Sequence, residues 1–191
     1  MKRQSIMNRK TILSLVAALW FPISLLAQTA PVTTAGMITN ATTVPGSVIV
    51  PVTVSNFHSI GAFTLTLRYR ADRVTYVSAA PHASFPGMTV TNTVAGTLGK
   101  LVINWPETPG GITLPDATRL LDLTFTYLTG TSPLLWLYSS GNVCQYKKYS
   151  GGNFILLADT PKSSFYLNGG ISDRSAPVTT VPYISNALPG N

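Results

Sequence analysis

The sequence predicts an all-β domain, an antiparallel β-sandwich of eight or nine short strands, a pattern that closed barrels share. Three observations predict it. Apolar residues alternate at period two with Thr-rich partners in one short segment after another. Gly, Pro and Asn punctuate those segments at short intervals. No window carries a helical apolar period longer than two turns. The chain has 191 residues, 45% of them hydrophobic and 10% charged, with 15 Gly and 14 Pro. That length supports one sizeable core, and the apolar content is too high for a disordered chain.

The first element is not part of the sandwich. Lys2, Arg3, Arg9 and Lys10 precede an uncharged run, residues 11–27 (TILSLVAALWFPISLLA). A basic start, an apolar stretch and a closing small residue form a secretory signal peptide, so residues 1–27 are expected to be removed after Ala27. The run is short for a membrane span and carries Pro22. No Cys follows it to take a lipid. The expectation is a secreted or cell-surface protein of bacterial type, with no membrane attachment after cleavage. Without those four cations, nine basic residues face six acids, which gives no case for nucleic acid as a partner.

The strands follow in order. Residues 47–54 (SVIVPVTV) place Val48, Val50, Val52 and Val54 on one face, and Pro51 calls for an edge or a bulge. Residues 62–69 (AFTLTLRY) set Phe63, Leu65, Leu67 and Tyr69 against Thr64, Thr66 and Arg68. Residues 74–78 form a short strand. Residues 88–94 (MTVTNTV) alternate Met88, Val90 and Val94 against Thr89, Thr91 and Thr93. Residues 101–105 (LVINW) follow a Gly-containing turn. Residues 120–127 (LLDLTFTY) set Leu121, Leu123, Phe125 and Tyr127 against Asp122, Thr124 and Thr126. Residues 134–138 and 165–171 complete the set. Residues 106–115 and 139–153 read as long loops, and residues 173–191 as a flexible tail or linker. The strand pattern occurs once, so the domain spans residues 28–172.

Five stretches resemble the cohesin domain of cellulosomes. Val44-Pro45-Gly46-Ser47-Val48-Ile49-Val50-Pro51-Val52 is similar to that family's G-x-x-V-x-V-P-V opening. Ile60-Gly61-Ala62-Phe63-Thr64-Leu65-Thr66-Leu67-Arg68-Tyr69 is similar to its G-x-F-x-x-x-L-x-Y strand. Val74-Thr75-Tyr76-Val77-Ser78, Leu120-Leu121-Asp122-Leu123-Thr124-Phe125 and Leu167-Asn168-Gly169-Gly170-Ile171 resemble three later family segments in the same order. Arg70-Ala71 depart from the pattern, where the family often has Asp-Pro. The resemblance implies an antiparallel jelly-roll β-sandwich of about nine strands, outside the cell, that binds a dockerin-like module, typically on a polysaccharide-degrading enzyme. The fold is also close to that of some carbohydrate-binding modules.

The same resemblance implies a docking sheet. Its outward side chains here are Thr64, Thr66, Arg68, Thr89, Thr91, Thr93, Val102 and Asn104. A flat, weakly charged surface of this kind suits burial against a partner helix; it is equally an ordinary solvated β-face, for which Thr is a default residue. The alternative partner is a polysaccharide, stacked on exposed aromatics. Tyr138, Tyr146 and Tyr149 are the candidates for that platform. Trp105 and Trp136 read as core instead, Trp105 sharing the parity of Leu101 and Ile103.

Little material for bond chemistry is present. The chain holds 2 His and 6 acids, with no two acids at a helical or strand spacing. A glycosidase needs two opposed carboxylates. No G-x-S-x-G or Cys–His context exists. No catalytic residue, metal or cofactor is therefore assigned, and the expected role is recognition. Asp72, Asp116 and Asp159 are the acids that could contribute to a weak calcium site. The lone Cys144 reads either as a buried small apolar residue or as a thiol that pairs between chains.

Overall fold

The computed structural model describes residues 28–39, 45–139 and 141–173. The expected signal peptide, and all of the expected tail beyond Asp173, lie outside the described residues. Among the described residues there are fourteen strands: β1 Val32–Ala35, β2 Met37–Ile38, β3 Gly46–Ser55, β4 Phe57–Arg70, β5 Val74–Pro81, β6 Thr89–Ala95, β7 Leu98–Trp105, β8 Ile112–Leu114, β9 Thr118–Tyr127, β10 Ser132–Trp136, β11 Gln145–Ser150, β12 Asn153–Leu156, β13 Tyr166–Leu167 and β14 Gly169–Ile171. One sheet has the order β13-β1-β3-β9-β5. The other runs β12-β11-β4-β10-β14-β2, with β7 and β8 also on β4 and β6 beyond β7.

The sandwich follows from the period-two pattern. Val48, Val50, Val52 and Val54 of β3 are buried, and so are Leu121, Leu123, Phe125 and Tyr127 of β9. They face Phe63, Leu65, Leu67 and Tyr69 of β4 and Leu101, Ile103 and Trp105 of β7 across one core. Aromatic rings fill one end of it. Phe85, on the β5–β6 connection, stands edge-on to Trp105, Phe63 and Phe57 at centroid distances of 5.0, 5.6 and 5.7 Å. Trp105 Nε1 donates to Pro86 O at 3.2 Å, and Trp136 Nε1 to Leu167 O at 2.9 Å. Both indoles are thus core residues with their one polar atom satisfied.

Pro51 meets its edge inside an otherwise paired strand. On one flank β3 pairs with β9 along its length; on the other, β1 covers only Val52 to Ser55. From Pro51 backwards that flank carries no strand, so the missing N–H breaks no ladder bond.

The two ends of the chain pair in parallel, β1 with β13 and β2 with β14. The remaining strand pairs are antiparallel, and one isolated bridge, Thr29 to Ala158, is parallel. The count exceeds the expected nine because short strands lie where sequence patterning gave loops. Ile112–Leu114 lies in the expected 106–115 loop. The expected 139–153 loop contains β11 and leads into β12, a hairpin closed by Gly151-Gly152 at φ +57° and +81°. Positive φ at both turn residues is the two-residue hairpin geometry that glycine permits.

Gly99 illustrates how tightly the register is set. It lies opposite Tyr69 in the β4–β7 ladder, and the Tyr69 ring crosses over it so that its hydroxyl donates to Asn92 on β6 at 3.0 Å. A Cβ at position 99 would lie 2.0 Å from that ring. Gly99→Ala is therefore expected to destabilise the domain by about 1–3 kcal/mol through overpacking, read from chemical denaturation. An unchanged midpoint would show that Tyr69 has another place to go.

Candidate functional site

The outward face of β4, β7 and β6 is a grid set by strand register. Thr64 lies opposite Asn104, and Asn104 opposite Thr89. Thr66 lies opposite Val102, and Val102 opposite Thr91. Arg68 lies opposite Lys100, and Lys100 opposite Thr93. Because both ladders are unbroken antiparallel runs, every side chain with the parity of Thr64 emerges on one side. Thr64 Oγ1 donates to Asn104 Oδ1 at 3.0 Å, which fixes the amide at one end of the grid. Thr89, Thr91 and Thr93 are exposed, and Thr64, Arg68, Val102 and Asn104 are half-buried.

Thr66 has the expected parity but does not reach the surface, being 3% exposed. Its hydroxyl donates to Val143 O at 2.9 Å and accepts from Val143 N–H at 3.4 Å. The cause is a seam in the sheet. One edge of β4 pairs with β10 at Leu67 and Arg68 and with β11 from Thr64 backwards. Between them Leu137, Val143 and Cys144 lie beside Thr66. Leu137 N–H donates to Thr66 O at 2.8 Å, and the Cys144 thiol lies 3.4 Å from Thr66 N as its acceptor. Val143 stands in the surface place that parity assigns to Thr66.

Two hollows flank the grid. One, of about 110 Å³, is lined by Thr64, Asn104, Pro106, Gln145 and the Lys147–Glu107 ion pair, whose N–O distance is 2.6 Å. The other, of about 250 Å³, lies at the cationic end among Arg68, Arg70, Leu98, Pro133 and Leu135. Arg70 is turned to Asp72, which it grips with both Nε and Nη2, at 2.8 and 2.7 Å. Those bonds, with Arg73 nearby, hold the Asp72 carboxyl down to about 2. Among the described residues neither Arg68 nor Lys100 has an ion-pair partner. Leu98, Lys100 and Leu135 were missed from sequence. The β7 strand begins three residues earlier than the apolar alternation suggests, and Leu135 acquires its position only by pairing with Arg68.

The tyrosine platform does not form. Tyr146 is 0% exposed, its hydroxyl 2.6 Å from Thr33 Oγ1 across the core and its ring stacked on Tyr166. Tyr149 is half-buried against Phe154. Tyr138 alone is open, at 39% exposure. The sequence placed Tyr146 in a polar loop; its burial follows from that loop being strand β11, which turns it inward.

The three candidate calcium acids lie apart. Asp72 is held by arginines, and Asp116 Oδ1 accepts Asn56 N–H at 2.8 Å. Asp159 Oδ2 accepts from Lys162 Nζ at 2.6 Å and from the Tyr166 hydroxyl at 2.7 Å. No group of three metal-ligating side chains occurs among the described residues. Cys144 is buried, and its thiol donates to Leu137 O at 3.2 Å.

No protein-family model matches the chain, and no curated protein matches it significantly. Solved structures do share its fold. The seventh ScaB type I cohesin from Pseudobacteroides cellulosolvens is 15% identical, with a TM-score of 0.56 over 78% of this chain and 96% of that one. The sixth cohesin of Acetivibrio cellulolyticus scaffoldin B, solved in complex with a variant Cel5 dockerin, is 18% identical, with a TM-score of 0.57 over 76% and 99%. A non-cellulosomal cohesin from the archaeon Archaeoglobus fulgidus is 18% identical, with a TM-score of 0.52 over 76% and 91%. The fold of this domain is that of a cohesin.

The buried protic groups set a pH limit. Burial pushes the Cys144 thiol up to about 11 from 9.0. It also raises the Tyr146 and Tyr166 phenols above 10.0, Tyr166 further because it donates to Asp159. The folded state holds these protons longer than the unfolded chain, so their contribution is complete below pH 9 and is lost as pH rises. Stability is expected to fall steadily between about pH 9 and 11 in denaturant titrations. Cys144 is expected to resist thiol reagents at pH 8 until denaturant is added; rapid labelling of the native protein would contradict its burial.

Proposed function

We propose that this cohesin-fold domain is an exported, non-catalytic docking module that binds a dockerin-like module of a partner protein on its β4–β7–β6 face. The observation that carries this reading is the open grid itself. Three strands in unbroken register present Thr64, Asn104, Val102, Thr89 and Thr91 on one surface, and a hollow lies at each end. Such a surface is flat enough for a helix and short of charge at its centre, as protein interfaces are at their cores. The unpaired Arg68 and Lys100 beside Leu98 and Leu135 favour a partner helix with an acidic and an apolar residue at that end. The Acetivibrio cellulolyticus cohesin, which shares the fold, was solved with a dockerin. The basic and apolar start of the chain supports export to the cell surface or medium. The site's chemistry supports docking without bond making, in assemblies that degrade polysaccharides or decorate the surface.

The test is a binding screen of residues 28–191 against dockerin-type modules of the source organism, with a polysaccharide array in parallel. One dockerin is expected to bind. Val102→Asp and Asn104→Arg are each expected to weaken it by at least about tenfold with an unchanged melting midpoint. Thr126→Lys, on the outer face of the opposite sheet, is expected to leave it unaffected. Glycan binding without dockerin binding, or dockerin binding indifferent to the two face variants, would overturn the proposal.

A further inference from the structure

The last residues of the chain repeat its first strands. Ala176-Pro177-Val178-Thr179-Thr180-Val181-Pro182-Tyr183-Ile184-Ser185-Asn186-Ala187 aligns without a gap on Ala30-Pro31-Val32-Thr33-Thr34-Ala35-Gly36-Met37-Ile38-Thr39-Asn40-Ala41, with identity at eight of twelve positions. Ser185 for Thr39 keeps a hydroxyl. Pro189-Gly190-Asn191 then stand where Pro45-Gly46-Ser47 lead into β3, after a connection two residues shorter. The strand pattern alone gave a tail here, because one lone copy of β1 and β2 is too short to show a period.

The identities fall where the fold needs them. Ala30, Pro31 and Thr33 are buried, and Thr33 supplies the hydroxyl that meets Tyr146 across the core. Ala176, Pro177 and Thr179 keep all three. A spacer under no structural demand would not keep that unbroken five-residue run, although the next buried position, Ala35, corresponds to Val181.

The slot for these strands in the described domain is already filled by residues 32–38, paired with β3, β13 and β14. A second copy of this same domain is a poor acceptor, and the crossover between the sheets decides it. Gly36 N–H donates to Pro51 O at 2.8 Å, and a Cβ on Gly36 would lie 2.9 Å from Pro51 Cδ. Pro182 has no N–H and brings ring carbons to that place. Val181 would add two carbons to the side chain at Ala35, which is buried in the core. The segment thus carries the β1–β2 code with a crossover suited to a different framework.

We propose that residues 176–191 are the opening of a second module of this fold: its β1, crossover, β2 and entry to β3. The two modules would be joined through Ser172-Asp173-Arg174-Ser175. Docking faces repeated on so short a connection would raise avidity for a partner that carries linked modules, whatever chemistry a single face recognises.

The test completes the second module. A chain in which Asn191 is followed by another copy of residues 48–173 is compared with one carrying Val181→Ala and Pro182→Gly, and with one in which residues 176–187 are a Gly-Ser spacer. Tryptophan fluorescence, proteolysis and hydrogen exchange report whether the appended unit folds. It is expected to fold in the Val181→Ala/Pro182→Gly chain, with a lower melting midpoint or no folding in the unaltered one, and no folding with the spacer. Failure in the Val181→Ala/Pro182→Gly chain, or equal folding with the spacer, would overturn the proposal. The 191-residue chain is measured beside one ending at Ser175 by sedimentation. Equal monomeric mass is expected; an oligomer that disappears on truncation would overturn the proposal in favour of strand exchange between copies. None of these readouts involves a dockerin, so they stand apart from the binding screen.

Discussion

Two backbones cross between the sheets at one point, and neither has room for a side chain there. At Gly36 the chain leaves β1 in one sheet for β2 in the other; at Asn168–Gly169 it makes the same passage from β13 to β14. A Cβ on Gly169 would lie 2.3 Å from Gly36 O. This close pass lets the first and last strands run side by side in both sheets, closing each with backbone bonds such as Gly170 N–H to Gly36 O at 3.1 Å and Ser172 N–H to Ile38 O at 2.8 Å. Asn168 is held at the crossing by accepting Trp136 N–H at 2.9 Å, so the Asn-Gly-Gly run is a geometric requirement of the crossing.

With the ends closed, β4 becomes the spine of the second sheet. It runs fourteen residues and takes two partners end to end on one edge, β10 and β11, and two on the other, β7 and β8. An interrupted edge leaves backbone groups to satisfy, and Cys144 does so on both sides of the gap: its sulfur accepts Thr66 N–H and its thiol donates to Leu137 O. On the other edge β7 runs without a break from Phe63 to Arg70, and the β7–β6 ladder carries the outward grid to solvent. The lone cysteine and the covered threonine are two sides of the same arrangement.

Much of this was legible in the sequence because parity is a local property. Val48 to Val54, Phe63 to Tyr69 and Leu121 to Tyr127 each declare one buried face, and with them go the sandwich, the core indoles and the outward set from Thr64 to Asn104. What parity does not carry is coverage by a chain segment distant in sequence. Thr66 and Arg68 read alike, yet Val143 covers only the first. Tyr146 looked like loop because Gly, Ser and Lys surround it; the signal that could have placed it was Gly151-Gly152, a hairpin turn between two candidate strands. β1, β2, β13 and β14 are too short to show a period, so the parallel pairing of the chain ends emerges only in three dimensions.

That pairing also decides how the domain bears load. Because β1 and β13 point the same way, the chain enters beside the start of one and departs beyond the parallel partner of the other. A pull applied through Gln28 and Ser172 therefore slides the terminal strands along each other. The hydrogen bonds from Ala30–Ala158 through Thr33–Phe165 to Ser172–Ile38 are loaded in shear and share the force, where a hairpin pulled from its open end would unzip them one at a time. A domain pulled through both its ends would thus be held by its own first and last strands.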